Sequence, residues 1–236
     1  MQNNKGNLYL IPTPLGDNDH FYTLPGYNIQ VIEKINVFIV EELKTARRFL
    51  RKAGYKQDFE EVTFHVLNEH TKPEESSTFL DQAKKGLDIG LLSEAGCPAI
   101  ADPGTSVVSI AHQIGIKVIP LTGPSSIILA LMASGLSGQR FTFYGYLPIK
   151  PTERSHKIKE LDRLAQLHSE TQIFIEAPYR NKQIIQALLE TCNEHTLLCI
   201  ATNISLPDES IKTASIREWR KIKPDPGKNP TVYLIG

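Results

Sequence analysis

The densest group of chemically capable residues is the run SEAGCPAIADPG at 93–104. Its carboxylates, Glu94 and Asp102, stand among Gly96, Pro98, Pro103 and Gly104, just after the apolar run DIGLLS at 88–93. That order places them where a buried strand ends in a tight loop. In an open parallel sheet ligands bind beyond the carboxyl ends of the strands, where a carboxylate can accept hydrogen bonds from a ribose or an amine. An ordinary strand-to-helix turn with solvated acids has the same spacing, so the pattern alone leaves both readings open. Two further loops share the design. PLTGPSSIILALMASG at 120–135 follows a strand and opens a helix, with Ser125 and Ser126 offering hydroxyls and free N–H groups to a ligand or simply capping the helix. IPTPLGD at 11–17 is strand, proline, glycine. It lacks the spaced glycines of a dinucleotide fingerprint and the lysine of a phosphate loop, so neither NAD nor ATP is favoured.

The elements that must position these loops alternate. Short runs rich in apolar and β-branched residues recur at 7–11, 36–40, 62–67, 88–93 and 117–121. Between them Leu43 to Ala53 and Glu74 to Lys85 carry apolar residues at helical spacing. This half therefore reads as a parallel α/β sheet covered on both faces. After 121 the pattern resets: an apolar helix through Met132, then runs at 141–147, 172–176, 197–202, 209–214 and 231–235, with helices at 152–167 and 181–191. Strands that pair late across long excursions predict a mixed sheet. Pro120, Gly123 and Pro124 mark the change, so the expected domains are 1–121 and 122–236, both α/β.

The 236 residues carry 26 basic and 26 acidic side chains, so nucleic acid cannot be held by net charge and any polyanion site must be a local patch. Three scattered cysteines, Cys97, Cys192 and Cys199, show no metal spacing and suit a reducing, cytoplasmic setting. The apolar run before Pro12 is too short for a signal peptide or membrane span, and no other stretch approaches one.

Taken together, TPLGD at 13–17, SEAGCPAIADPG at 93–104, TGPSS at 122–126, FYGYLP at 143–148 and IEAPYR at 175–180 occur in the order and wording of a known family. The chain resembles the tetrapyrrole methylase superfamily, and within it the ribosomal RNA small subunit methyltransferase I branch, from Leu8 to about Arg180. The resemblance implies a homodimer of two α/β domains that binds S-adenosylmethionine in the cleft between them without a metal. It implies cofactor contacts at Leu15, Glu94, Gly96, Pro98 and Ala99 in the first domain and at Ser125, Ser126, Ala177 and Ala201 on the second domain's side. It further implies methyl transfer to RNA, a ribose of small-subunit ribosomal RNA. A tetrapyrrole or other small-molecule acceptor, and a catalytically silent S-adenosylmethionine-binding protein, are the alternatives.

The chain departs from the branch on the presumed substrate side. VEELKTARRFL at 40–50 keeps Glu41 but replaces the following acid by Glu42 and an arginine by Lys44; NEHT at 68–71 keeps Glu69 and His70; ATNISL at 201–206 lacks the branch's arginine and acid. A ribose hydroxyl needs its proton removed or held, and Glu41, Glu69 or His70 could do that. Glu41 could equally be a carboxylate that opens a helix, favoured by the dipole. An RNA acceptor would need local basic surface: Lys44, Arg47, Arg48, Arg51 and Lys52; Lys150, Arg154, Lys157 and Lys159; or Arg217, Arg220, Lys221 and Lys223. Tyr144, Tyr146 and Tyr179 could stack on bases or pack in the core or on the cofactor.

Overall fold

A computed structural model describes residues 5–17, 23–68 and 70–236. The chain divides into two compact units, Met1–Ser125 and Ser126–Gly236, so the break falls four residues beyond the expected 121.

The first unit is built on β1 (Asn7–Ile11), β2 (Val37–Val40), β3 (Thr63–Val66), β4 (Ile89–Leu92) and β5 (Lys117–Pro120), all parallel, in the order β3-β2-β4-β1-β5. Strands buried on both faces alternate between two cores. Leu8, Val37, Ile39, Ile89 and Leu91 face α4 (Asp81–Lys84) and α5 (Thr105–Gln113). Ile11, Phe38, Val40 and Leu92 face α1 (Gly26–Ile32) and α2 (Leu43–Lys52). At roughly 1.5–3 kcal/mol for each large apolar side chain taken from water, the two faces hold the sheet in register. The stretch expected as one helix from Glu74 to Lys85 is instead α3 (Pro73–Ser76) and α4 with a turn between them. Ser77 and Thr78 open that break, and Thr78 Oγ1 donates to the Glu75 carbonyl (2.8 Å), the local bonding by which hydroxyl side chains compete with a helix. Helices α1 and α5 were not expected from periodicity.

The strand order sets where a ligand can sit. From β1 the chain crosses to β2 on one side, and from β4 it crosses to β5 on the other, so neighbouring strands β1 and β4 send their loops apart at their carboxyl ends. Such a reversal opens a crevice.

The second unit opens with α6 (Ser126–Ser134) and continues through β6 (Phe141–Tyr146), α7 (Pro151–His168), β7 (Thr171–Glu176), a 3-10 turn (Pro178–Arg180), α8 (Asn181–Thr191), β8 (Leu197–Thr202), β9 (Ser210–Ser215), α9 (Ile216–Ile222) and β10 (Thr231–Ile235). The sheet order is β6-β7-β10-β8-β9, with β6 and β7 parallel and β10 antiparallel to both β7 and β8. The sheet is mixed, as the late pairings predict. Helices α7, α8 and α9 cover one face through Ile158, Leu161, Ile184, Leu188 and Trp219. Helix α9 begins in a capping box, in which Ser215 Oγ accepts the Glu218 N–H and the Glu218 carboxylate accepts the Ser215 N–H. No helix among the described residues is long and apolar enough to cross a membrane.

The loop after β5 is tied to the loop after β1 by close approach. A Cβ added to Gly123 would lie 2.2 Å from Pro12 Cγ, a clash that a proline ring cannot relieve by rotation. Gly123→Ala is expected to cost about 1–3 kcal/mol by overpacking, read as a lower urea midpoint with the slope retained. An unchanged midpoint would show that these loops are free to separate.

Candidate active site

The loops after β1 and β4 are joined by an isolated bridge: Thr13 N–H donates to the Gly96 carbonyl (3.0 Å) and Gly96 N–H to the Thr13 carbonyl (3.1 Å). Ser93 adds a hydroxyl bond to the Gly96 carbonyl, and Thr13 Oγ1 lies 3.2 Å from Ser93 Oγ. Within this loop Gly96, Ala99, Ala101 and Gly104 all adopt positive φ. For each alanine that conformation costs roughly 1–2 kcal/mol, so the surroundings must hold it in place. A Cβ at Gly96 would meet Leu15 Cδ2 at 3.1 Å and the Pro124 carbonyl at 3.3 Å, so the bare Gly96 backbone packs closely between the first and last loops of the unit. Leu15, Glu94, Gly96, Pro98 and Ala99 therefore belong to one loop cluster, with Pro98 and Gly96 buried and Glu94 exposed.

Three carboxyl groups crowd this edge. Glu41 follows directly on β2, while Glu94 and Asp102 lie in the loop from β4. Burial, the hydrogen bond with Glu41 and the charges of Glu41 and Glu94 push the Asp102 carboxyl up to about 7. Asp102 therefore keeps its proton up to near neutrality in the presence of the Glu41 carboxylate. Glu94 Oε1 accepts from Thr45 Oγ1 at 2.7 Å, and its other oxygen has no partner among the described residues. The helix-opening role open to Glu41 falls instead to Glu42, whose Oε2 accepts the Lys44 and Thr45 N–H groups, both at 3.1 Å. Those bonds hold the Glu42 carboxyl below its ordinary value and leave Glu41 for Asp102.

Two cavities open at this edge. One, of about 450 Å³, is lined by Leu15, Thr45, Phe49, Glu94, Arg48 and Lys52. The other, of about 550 Å³, is lined by Asp102, Asn68, Thr71, Thr105, Ser106 and Ser109. His70 sits in the turn after β3, with its N–H bonded to Asn68 Oδ1 (2.9 Å); Leu67 N–H bonds the Val40 carbonyl (2.8 Å), which brings this turn beside the strand that ends in Glu41. Glu69 lies outside the described residues. Asp102, noted in the sequence only as an exposed acid, is the proton-holding group that spacing did not single out. No group of three or more His, Cys, Asp or Glu residues among those described is placed to hold a metal ion.

The basic helix α2 is less available than its sequence suggests. Arg47 lies 5.4 and 5.3 Å from the Phe59 and Phe64 ring centres, with a buried, unpartnered Nε. Arg51 stacks on Phe59 at 3.9 Å and donates to the Tyr55 and Gln57 carbonyls, while Lys52 pairs with Asp17. Lys44 and Arg48 show no ion pair or aromatic stack among the described residues. The other two clusters are likewise committed in part: Lys150 and Lys157 pair with Glu153 and Glu160, Arg154 is buried, and Arg220 donates to the Leu189 carbonyl.

In the second unit Ser126 is the first residue of α6, Ala177 follows β7 and Ala201 is fully buried in β8. Thr231 of β10 is the partner of both Glu176 and Thr202, so Ala177 and Ala201 lie near one end of adjoining strands. Glu176 is almost fully buried, accepts the Ala177 N–H (2.9 Å) and lies 3.1 Å from Arg180, which fixes the turn. Ser125 ends the first unit.

Two expectations follow. Asp102 holds its proton more tightly folded than unfolded, so stability from this group is present at acid pH and falls as pH rises from the ordinary 3.8 through about 7. Asp102→Asn, uncharged throughout, is expected to lessen the stability lost between about pH 4 and about pH 7 in urea titrations; an unchanged pH dependence would contradict the raised Asp102 carboxyl. Arg47→Ala is expected to lower stability by about 0.5–2 kcal/mol, and Arg48→Ala to leave it within about 0.5 kcal/mol. Equal midpoints for these two variants would remove the packing role.

Against known proteins, the family model described as Tetrapyrrole (Corrin/Porphyrin) Methylases matches residues 7–219. Similar curated proteins carry the name ribosomal RNA small subunit methyltransferase I. The protein from Buchnera aphidicola subsp. Schizaphis graminum is 33% identical over 99% of this chain and 79% of its own length. The one from Vibrio cholerae is 31% identical over 89% of this chain and 69% of its own. Among solved structures, the methyltransferase CobJ superposes with a TM-score of 0.64 at 18% identity, over 98% of this chain and 94% of that one. Uroporphyrin-III C-methyl transferase from Thermus thermophilus, solved with S-adenosyl homocysteine, gives 0.60 at 16% over 98% and 97%. The strand order of both sheets, the Pro/Gly loops at the carboxyl edge and the match over nearly the whole chain lead to one conclusion: this chain belongs to the tetrapyrrole methylase family and is a methyltransferase.

Proposed function

We propose that the chain transfers a methyl group from S-adenosylmethionine to RNA, at a ribose hydroxyl of small-subunit ribosomal RNA. The observation that carries the chemistry is the set of three carboxyl groups beside the Thr13–Gly96 bridge, where β1 and β4 send their loops apart. The RNA acceptor is supported by the relatives' name, at about 30% identity over most of the chain.

The residues present fit the cofactor. Its amine and ribose hydroxyls are donors, matching the unpartnered oxygen of Glu94, and its sulfonium is a cation that a carboxylate-rich edge attracts. When bound, S-adenosylmethionine supplies an electrophilic methyl on sulfur, so no nucleophilic side chain is required. The protein's part is to orient the acceptor oxygen and exclude water. The Glu41–Asp102 pair would take the hydroxyl proton: a carboxyl group held near 7 is a base matched to neutral pH. The rate of transfer would then rise with pH through about 7. Leu15, Gly96, Pro98 and Ala99 would contact the cofactor beside Glu94, with Ser125, Ser126, Ala177 and Ala201 as the remaining contacts. His70 and Glu69 stay candidates for orienting the acceptor. Homodimeric assembly belongs to the same reading, and light scattering tests it. Free Cys97, Cys192 and Cys199 support a reducing, cytoplasmic setting.

The test is incubation with methyl-labelled S-adenosylmethionine together with small ribosomal subunits, total RNA or a porphyrinoid extract. Label is expected in the small-subunit RNA. Label in the porphyrinoid fraction would move the acceptor to a small molecule, and binding without transfer to any fraction would leave a silent binder. In calorimetry with a chelator present, cofactor binding should persist. Glu94→Ala should weaken it about two- to twelvefold, the loss of one hydrogen bond, while melting stays nearly unchanged.

A further inference from the structure

Tyr144, Tyr146 and Tyr179 meet different fates in the second unit. Tyr144 packs against the core with Lys157 Nζ 4.8 Å from its ring. Tyr146 and Tyr179 are 61% and 73% exposed, and Ile149, on the loop between β6 and α7, is 76% exposed. Strand alternation would send Tyr146 to the same face as Tyr144, two residues earlier. It does not go there, because the β6–β7 register shifts between Phe143 and Tyr146 and Gly145 takes φ +71° within that shift. A bulge of this kind re-aims a side chain, and here it turns a large ring from the core into solvent.

The backbone beneath the exposed rings is braced at unusual cost. Arg154 Nη1 donates to the Ile149 carbonyl (3.2 Å) and Arg180 Nη2 to the Pro148 carbonyl (3.4 Å); both arginines are buried, and Arg154 Nε has no partner. A buried guanidinium with an unmet donor costs stability, so this stretch of backbone is held at the expense of the fold. The Arg180 bond ties the turn holding Tyr179 to the loop that follows Tyr146, and Tyr146 is the register partner of Ile175 in the strand leading to that turn. Both tyrosines thus stand on one braced corner, beside Ala177, and among the described residues neither packs on another aromatic ring. Lys182, in the first turn of α8, is exposed and has no acidic partner among the described residues.

We propose that Tyr146 and Tyr179 form a stacking platform for unpaired bases of the RNA acceptor, with Lys182 meeting the neighbouring phosphate; this rests on the RNA reading above. A flat ring held at a fixed angle suits any base face, and a nearby unpaired cation suits the backbone between bases. RNA is favoured over an apolar peptide because the patch pairs tyrosines with a free lysine.

The test compares the intact chain with the double variants Tyr146→Ala/Tyr179→Ala and Tyr146→Phe/Tyr179→Phe. Binding of a single-stranded small-subunit RNA fragment is followed by fluorescence anisotropy over a salt series, cofactor binding by calorimetry and mass by sedimentation. The alanine pair is expected to bind RNA about 5- to 100-fold more weakly, and the phenylalanine pair within about twofold of the intact chain. Salt slope, cofactor affinity and mass should be unchanged in both, because stacking releases no counterions. Lys182→Ala should instead flatten the salt slope by about one unit. The platform is overturned if the alanine pair binds as the intact chain does, if both pairs weaken alike, or if mass changes, which would make this corner a contact between copies. An intact chain that binds cofactor but no RNA would sink the RNA reading itself, and the platform with it.

Discussion

All five strands of the first sheet run in one direction, and that single constraint gathers the chemistry of the first unit. A parallel sheet puts every strand-to-helix loop at one edge, so segments as distant in sequence as 13–17, 41–45, 67–71, 93–104 and 121–125 meet there. The opposed crossovers from β1 and β4 part their loops at the centre, and the Thr13–Gly96 bridge keeps the parting narrow. Crowding then does electrostatic work. Glu41 ends one strand and Asp102 comes from the neighbouring strand's loop, so a buried carboxyl meets a second one and retains its proton. Neither residue has that property alone; the register between β2 and β4 creates it.

The second unit depends on the opposite device. Its sheet is mixed, and its notable corner is built by buried cations. Arg154 and Arg180 surrender hydration to hold two carbonyls, and the Glu176–Arg180 pair fixes the turn between β7 and α8. Breaking one partner of such a pair leaves the other charge buried and unmatched, so these residues preserve shape more than they add stability. The bulge at Gly145 exposes Tyr146 against the local alternation, a local inconsistency of the kind that marks functional rather than structural selection.

Much of this was legible in the residues. The strands at 7–11, 172–176, 197–202 and 231–235 stood out as short apolar runs, one of them extended by a residue to Thr171 in the structure, and the parallel-then-mixed order followed from their spacing. The three Pro/Gly loops carried the family. Periodicity missed α1, which has only seven residues, and overran the break after Ser76, where the Thr78 hydroxyl bonds the backbone locally. It missed α9 although Ser215 and Glu218 spell a capping box. Composition could not show that Arg47 and Arg51 lie on Phe59 and Phe64, because those rings come from beyond the helix. Nor could spacing say which of Glu41 and Glu42 caps α2. That choice turns on one residue of phase, and it decides which acid is left to meet Asp102.

The proposed acceptor is a ribose hydroxyl, whose proton the Asp102 carboxyl beside Glu41 would take. The most direct measurement is to locate the methyl group after single-turnover transfer to small ribosomal subunits, by alkaline hydrolysis of the labelled RNA and mass spectrometry of the products. A 2′-O-methyl ribose blocks cleavage at its own phosphate, so the account predicts label in an alkali-resistant dinucleotide, with Asp102→Asn slowing its formation and removing the rise with pH through about 7. Label carried on a base in ordinary mononucleotides, or a pH profile unchanged in Asp102→Asn, would contradict it.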